Sequence, residues 1–305
     1  MKELSAKHTL SVWVVVDGKP GHMNQSLGLA EALARATPTN IHRLPALSAW
    51  RAGLALLLKR ALISGPAPDL ILGAGHATHL TLLAARRAGG GRSVVLMKPS
   101  LPRRLFDLCI APAHDKVVAD ARTLVTEGAL NRIHTSGTLN PGRGLILIGG
   151  PSSHFEWDSM AVAVQIKGIL ARTPDTHWTL TTSRRTPDDF LAQLPASPNL
   201  TIVPHTQTGA DWLPAQLAQC GTAWVTPDSA SMVYEALTAG ARVGVFDLPV
   251  NPVSRVGWAV AGLADSKRVT RFTTWCAHGT LHPNTTPLAE ADRCAHWILQ
   301  WLKKS

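Results

Sequence analysis

The chain has 305 residues, 45% of them apolar, enough for two cores built from roughly 150 residues each. Its net charge of +10 calls for an anionic partner: nucleic acid, a phosphate-bearing substrate or a membrane surface. With one Tyr, five Phe and neither zinc-finger spacing nor a dense Lys/Arg stripe, nucleic acid is the least suited of these partners. No apolar run reaches the ~20 residues of a membrane span, and the polar start Met1–His8 does not make a signal peptide. The four cysteines, Cys109, Cys220, Cys276 and Cys294, form no C-x-x-C pair and read as free thiols of a cytosolic protein. Cys276 with His278 supplies two ligands, too few for a metal site, so no metal and no cofactor are expected.

Strand-like runs alternate with helical ones. Buried strands are expected at Leu10–Val16, Asn40–Leu44, Leu70–Leu72, Val94–Met97 and Leu108–Ala111, with helices near 24–36, 47–62 and 77–88. This is the rhythm of a parallel, doubly wound sheet. The turn-rich stretch Asn140-Pro141-Gly142-Arg143-Gly144 reads as a linker. The rhythm restarts at Leu145–Ile148 and runs through 159–171, 177–181, 188–193, 200–203 and 211–219. Residues 222–246 then read as strand, polar turn, helix and strand. The last helix spans about 288–303. The expected fold is α/β, with two doubly wound Rossmann-like domains facing a cleft. The N-terminal domain is expected at 1–140 and the C-terminal domain at 141–305, with the last helix able to pack back on the N-terminal domain.

Ligands bind such folds at the C-terminal ends of the strands, so the loops there are where chemistry is sought. After the first strand, Asp17-Gly18-Lys19-Pro20-Gly21-His22-Met23-Asn24-Gln25 has two glycines, a histidine at its tip and a helix behind it. His76 follows the third strand, Lys98 the fourth, and His114-Asp115 the fifth. In the second half, Gly149-Gly150-Pro151-Ser152 could cradle a diphosphate, and Ser183-Arg184-Arg185 suits a phosphate or carboxylate. On the helix after residue 227, Asp228, Ser231 and Glu235 fall on one face, with Asp228 or Ser229 as the cap. Each loop also has a bland reading: an exposed histidine, an ordinary turn, a solvated basic loop, a capped helix with a solvated Glu235.

Three motifs carry a resemblance: Asp-Gly-Lys-Pro-Gly-His-x-Asn-Gln (17–25), Thr-Ser-Arg-Arg-Thr-Pro (182–187) and Thr-Pro-Asp-Ser-x-Ser-Met-x-x-Glu-Ala (226–236). In this order they resemble the elongated-mitochondria fission-protein family, over nearly the whole chain. Bacterial members of that family are inferred to be glycosyltransferases of the glycosyltransferase-B type. Plant members are linked to recruiting a dynamin-related protein, which implies the alternative of a non-catalytic scaffold. A more distant resemblance is to the transferase that adds N-acetylglucosamine to the lipid precursor of peptidoglycan. There His22 and Glu235 look like the counterparts of a loop histidine and a ribose-holding glutamate, although Lys19-Pro20 departs from that loop.

The resulting expectation is metal-independent transfer of a sugar from a nucleotide-sugar to a glycan or lipid-linked acceptor. His22 would be the base and Asp115 the second catalytic candidate. Gly149, Gly150, Ser152, Ser183, Arg184, Arg185, Asp228, Ser229, Ser231, Met232 and Glu235 would hold the donor. Gly18, Lys19, Gly21, Asn24, Gln25, His76 and Lys98 would line the acceptor side. An epimerase with a Gly-x-x-Gly-x-x-Gly loop and a Tyr-x-x-x-Lys pair is disfavoured, because Tyr234 has Thr238 four residues on. Segment 47–63, apolar on nearly all sides with Trp50 and Arg51 near one end and Lys59-Arg60 near the other, reads as a core helix with snorkelling cations ahead of a peripheral membrane contact.

Overall fold

A computed structural model describes residues 9–58, 66–135 and 138–304. By its internal contacts the chain divides into two units, Met1–Arg132 with Ala289–Ser305, and Ile133–Leu288.

In the first unit, β1 (Leu10–Val16), β2 (Thr39–Pro45), β3 (Leu70–Ala74), β4 (Arg92–Leu96), β5 (Leu108–Pro112) and β6 (Thr123–Thr126) form one parallel sheet in the order β2-β1-β3-β4-β5-β6. Between them run α1 (Pro20–Ala36), α2 (Ala49–Leu58) and α3 (His79–Gly89). The run Leu-Ser-Val-Trp-Val-Val-Val of β1 is apolar almost throughout because helices cover both faces of the sheet. Side chains alternate, so Leu10, Val12 and Val14 join Leu29 and Leu33 of α1 in one core. Trp13 and Val15 join Leu82 and Ala85 of α3 in another. Gly28 makes the close approach of α1 possible, since a Cβ there would lie 2.1 Å from the Asn131 carbonyl oxygen.

In the second unit, β7 (Asn140–Leu147), α4 (Ser159–Arg172), β8 (His177–Thr181), β9 (Leu200–Val203), α5 (Trp212–Leu217), β10 (Cys220–Val225), α6 (Ala230–Ala239), β11 (Arg242–Val245), α7 (Arg255–Asp265), β12 (Thr270–Arg271) and α8 (Phe272–His278) build a second parallel sheet, ordered β12-β11-β10-β7-β8-β9. The two faces of β7 again divide the core. Leu145 and Leu147 pack with Val233 and Leu237 of α6, and Ile146 and Ile148 pack with Val162, Ile166 and Ile169 of α4. The last helix, α9 (Glu290–Lys303), returns to the first unit. There Cys294, Ala295 and Ile298 share the core of α1, and Arg35 pairs with Asp292 at 2.6 Å.

Several local readings change. Asn140–Gly144, read as a linker, is the first part of β7. Gly144 there is a matter of space, because a Cβ would sit 2.3 Å from the Trp178 ring. Residues 188–193 hold only a single 3-10 turn at Phe190–Gln193. Strands β6 and β12, and helices α7 and α8, carry too short or too mixed a pattern to have been read. The thiols of Cys109, Cys220 and Cys294 are buried, and burial pushes them up to about 11, 12 and 12. Among the described residues, no helix is long and apolar enough to cross a membrane.

Candidate functional site

In each unit the strand order marks one crevice. From β1 the chain moves outward to β2 and then returns to β3 on the other side of β1. In an open α/β sheet a switch point of this kind is where a ligand is expected, beside the loops after β1 and β3.

The loop after β1 holds Asp17, Gly18 and Lys19 before α1 starts at Pro20, whose missing N–H costs nothing at the first helical position. Gly18 takes φ +79, a left-handed turn that lets the chain double back. Both Asp17 oxygens are used: Oδ1 accepts the Lys19 N–H at 3.1 Å, and Oδ2 lies 2.7 Å from His22 Nδ1. The Asp17 side chain is 3% exposed and that of His22 is 20% exposed. Burial pushes the Asp17 carboxyl up. The hydrogen bonds from His22 and the Lys19 N–H, with positive charge from both residues, outweigh it and hold the carboxyl below its ordinary 3.8. The stability contributed by this carboxylate is therefore present above the ordinary carboxylate range and is lost as pH falls through the lowered value.

With Nδ1 tied to Asp17, Nε2 is the ring nitrogen left over. The His22 ring has no other hydrogen-bond partner among the described residues, while its backbone N–H donates to the Lys19 carbonyl at 3.1 Å. The ring is seated against Gly75 at the end of β3, where a Cβ would lie 2.3 Å from His22 Cε1 and Nδ1. Gly75 has φ +82, and its carbonyl accepts from Thr78 Oγ1 at 2.8 Å. His22, expected at the tip of the loop, lies instead in the first turn of α1, and its imidazole joins Asp17 of the β1 loop to Gly75 of the β3 loop. His76 lies in the same β3 loop, exposed on a 3-10 turn.

The other first-unit residues serve different ends. Asp115 Oδ2 accepts the backbone N–H of Lys98 at 3.1 Å, which joins the loop after β5 to the loop after β4. Asp115 is a loop fastener, while the Lys98 side chain is exposed. Gly21 is exposed, with open space where a Cβ would be, and Asn24 and Gln25 are half-buried on α1. His79, which sequence reasoning passed over, is 2% exposed and stays neutral more readily than usual, through burial first and the nearby His76 second. Asp17 was missed too. Its signal was a carboxylate five residues before the histidine at a strand end.

In the second unit the chain goes from β7 through β8 to β9, then crosses back to β10 on the other side of β7. The crevice therefore lies between the loops after β7 and β10. Asp228 is not on the α6 face with Ser231 and Glu235, because α6 begins at Ala230. Nor does it cap the helix: Ser229 holds the cap position, and its side chain makes no capping hydrogen bond. Asp228 instead turns to its neighbours across the crevice. Its side chain is fully buried, and Oδ2 accepts from Arg185 Nη2 at 2.6 Å and from the Gly150 N–H at 3.1 Å. Asp228 Oδ1 has no hydrogen-bond partner among the described residues.

The expected diphosphate cradle at Gly149-Gly150 is occupied by the protein itself. The Gly149 N–H donates to Thr226 Oγ1 at 2.7 Å, and the Gly150 N–H to Asp228. A Cβ at Gly149 would meet Asp228 Oδ2 at 2.1 Å, so only glycine lets the carboxylate come this close. Ser183 and Thr186 Oγ atoms both donate to the Gly149 carbonyl, at 2.8 and 2.5 Å. Arg185 Nη1 donates to the Gly150 and Pro151 carbonyls at 3.2 Å each. Arg185 is thus largely spent on the protein, and the exposed Arg184 makes no ion pair among the described residues. Ser152 Oγ accepts from the His154 and Phe155 N–H groups. Ser231 is exposed, Met232 half-buried against the α6 core, and Glu235 6% exposed, which rules out the solvated glutamate.

The sequence of residues 20–302 matches the family model described as mitochondrial fission ELM1. The chain belongs to that family. No curated protein matches it by sequence. Its fold is shared by a Listeria monocytogenes protein described as a UDP-N-acetylglucosamine 2-epimerase, with a TM-score of 0.65, 11% identity, and coverage of 97% of this chain and 96% of that one. MurG of Acinetobacter baumannii matches at a TM-score of 0.53 and 12% identity, over 98% of this chain and 100% of that one. The UDP-GlcNAc 2-epimerase of Neisseria meningitidis, solved with UDP-GlcNAc bound, matches at 0.53 and 10% identity, over 97% and 100%. The ELM1-family chain therefore has two Rossmann-like domains of the glycosyltransferase-B type. The sequence argument against an epimerase addressed one loop and one Tyr-Lys pair. Since proteins described as epimerases have this fold, fold alone does not separate the two activities.

Proposed function

We propose that this ELM1-family member transfers a sugar from a nucleotide-sugar to a hydroxyl of a glycan or lipid-linked acceptor, without a metal ion. The observation that carries the reading is the buried Asp17 carboxylate 2.7 Å from His22 Nδ1, which leaves Nε2 of a partly exposed imidazole as proton acceptor. Nε2 takes the acceptor hydroxyl's proton. The oxygen then bonds to the anomeric carbon, and the bond from that carbon to the diphosphate breaks, its electron pair leaving with the nucleoside diphosphate. Asp17 keeps the proton on Nδ1 and stabilises the imidazolium that forms. A single displacement of this kind inverts the anomeric configuration.

The nucleotide is assigned to the crevice between the loops after β7 and β10. Arg184 and the free N–H groups at the start of α6 offset charge on the departing phosphate, and Glu235 serves the ribose. Support for a nucleotide-sugar comes from the neighbours solved with UDP or UDP-GlcNAc. A thermal-shift series with uridine, guanosine, adenosine and cytidine nucleotides and their sugars tests this, since saturation at about 100 Kd stabilises by about 2.7 kcal/mol. Glu235→Ala should weaken the best nucleotide by about 1.5–3 kcal/mol. Unchanged affinity would remove Glu235 from the site. A folded protein that shifts with no nucleotide would count against the transferase reading and for the scaffold alternative.

The epimerase neighbours motivate the second reading. Incubating the protein with the nucleotide-sugar alone separates the two. An epimerase converts the donor without any acceptor, whereas a transferase leaves its sugar stereochemistry intact. Full activity after chelation of divalent ions is expected, and a strict requirement for Mg²⁺ or Mn²⁺ would overturn the fixed-charge mechanism.

A further inference from the structure

The expectation that the segment after β2 is a core helix does not hold for α2. Within Ala49–Leu58 only Ala52 and Ala55 are buried. Trp50 is 71% exposed, Leu54 48%, Leu57 78% and Leu58 50%. These four sit at i, i+4, i+7 and i+8, which makes one continuous stripe on the helix. An amphipathic helix on a protein core turns its leucines inward; here α2 packs through alanines and presents its large side chains outward. Single exposed leucines are ordinary, but four large apolar residues in one stripe mark a surface that is covered in use. The remainder of the expected segment, 59–63, lies outside the described residues.

Along the chain, the charges flanking the stripe are of one sign. Between Glu31 and Asp69 the sequence contains no Asp or Glu, but it contains Arg35, Arg43, Arg51, Lys59 and Arg60. Arg35 is engaged by Asp292, whereas Arg43 and Arg51 are exposed. We propose that α2 is a docking surface for an anionic lipid bilayer. Trp50, Leu54, Leu57 and Leu58 enter the boundary between headgroups and acyl chains, and Arg51 stays at the phosphates. Apolar insertion with basic flanks is the chemistry of a helix lying in the membrane plane. A second copy of the chain fits less well, because a two-fold contact through this face would set its cations against their own copies. The place also suits the activity. Val16 and Pro45 are register partners, so α2 begins a short loop beyond the same strand ends that carry His22. The docking itself follows from the surface and does not depend on sugar transfer.

The test is co-flotation of the full chain with vesicles of phosphatidylcholine and phosphatidylglycerol, beside vesicles of phosphatidylcholine alone. The wild type is expected to float with the anionic vesicles and to be released by high salt. Leu57→Ser and Leu58→Ser should each lower the partition coefficient by roughly tenfold or more, given the area a leucine buries. Arg51→Glu should weaken binding to the anionic vesicles alone. All three positions are exposed, so circular dichroism and nucleotide thermal shifts should stay at wild-type values, which separates loss of docking from loss of the donor site. The proposal falls if folded wild type stays at the bottom of both gradients. It also falls if the triple change L54S/L57S/L58S floats as the wild type does. A lipid-free, concentration-dependent dimer broken by those substitutions would assign the face to a second copy instead.

Discussion

Replacing His22 with alanine is expected to lower transferase turnover by roughly 10²–10⁴-fold while nucleotide binding persists, the usual range for a lost general base. Nucleotide binding is expected to survive because His22 and the crevice proposed for the donor belong to different units. Asp17→Asn should cut turnover in the same direction with the imidazole still present. The amide no longer carries the charge that holds the Nδ1 proton and stabilises the imidazolium. Gly75→Ala provides an independent route to the same loss. Its Cβ would lie 2.3 Å from the imidazole and would need φ +82, so the ring must leave its seat. Steady-state kinetics with donor and acceptor, beside nucleotide titration of each variant, make the comparison. Normal turnover in His22→Ala would exclude it as the base. Asp115 would not be its obvious replacement, because its carboxylate already holds the Lys98 N–H.

The largest expected loss of stability comes from Trp224→Ala, at about 3–5 kcal/mol. Trp224 is 1% exposed on β10, with its ring centroid 5.7 Å from Phe246, 5.8 Å from Phe272 and 5.3 Å from Trp275. The neighbouring strand makes room for it with Gly244, where a Cβ would approach the indole to 2.5 Å. Alanine would leave a gap that neither Gly244 nor the rigid rings can fill, so the cost should lie toward the upper end. Trp224→Phe should recover much of it. Urea unfolding followed by circular dichroism gives the difference, and a loss below about 1 kcal/mol would mean that this cluster collapses freely or is not packed as described.

Much of the fold could be read along the chain, because a doubly wound sheet writes itself into local pattern. Strands covered on both faces become nearly unbroken apolar runs, as in Leu10–Val16 and Leu70–Ala74, and each is followed by a polar turn and a helix. The strand-end loops were legible for the same reason, since they must follow strands, and so His22, Arg185 and Asp228 could be named as candidates by position. What those side chains touch was not legible. Asp17 on His22, Gly75 beneath the ring, and Asp228 on Arg185 and Gly150 are set by which strands become neighbours, and β1–β3 and β7–β10 adjacency joins segments that are remote in sequence. The same limit applied to glycines and leucines. Gly144 looked like a chain break until Trp178 stood beside it, and the leucines of α2 looked like core until the packing buried the alanines instead. Periodicity tells how side chains are distributed around a strand or helix. Which face turns inward, and which polar group meets which, depends on through-space contacts that exist only once the strand order has been chosen.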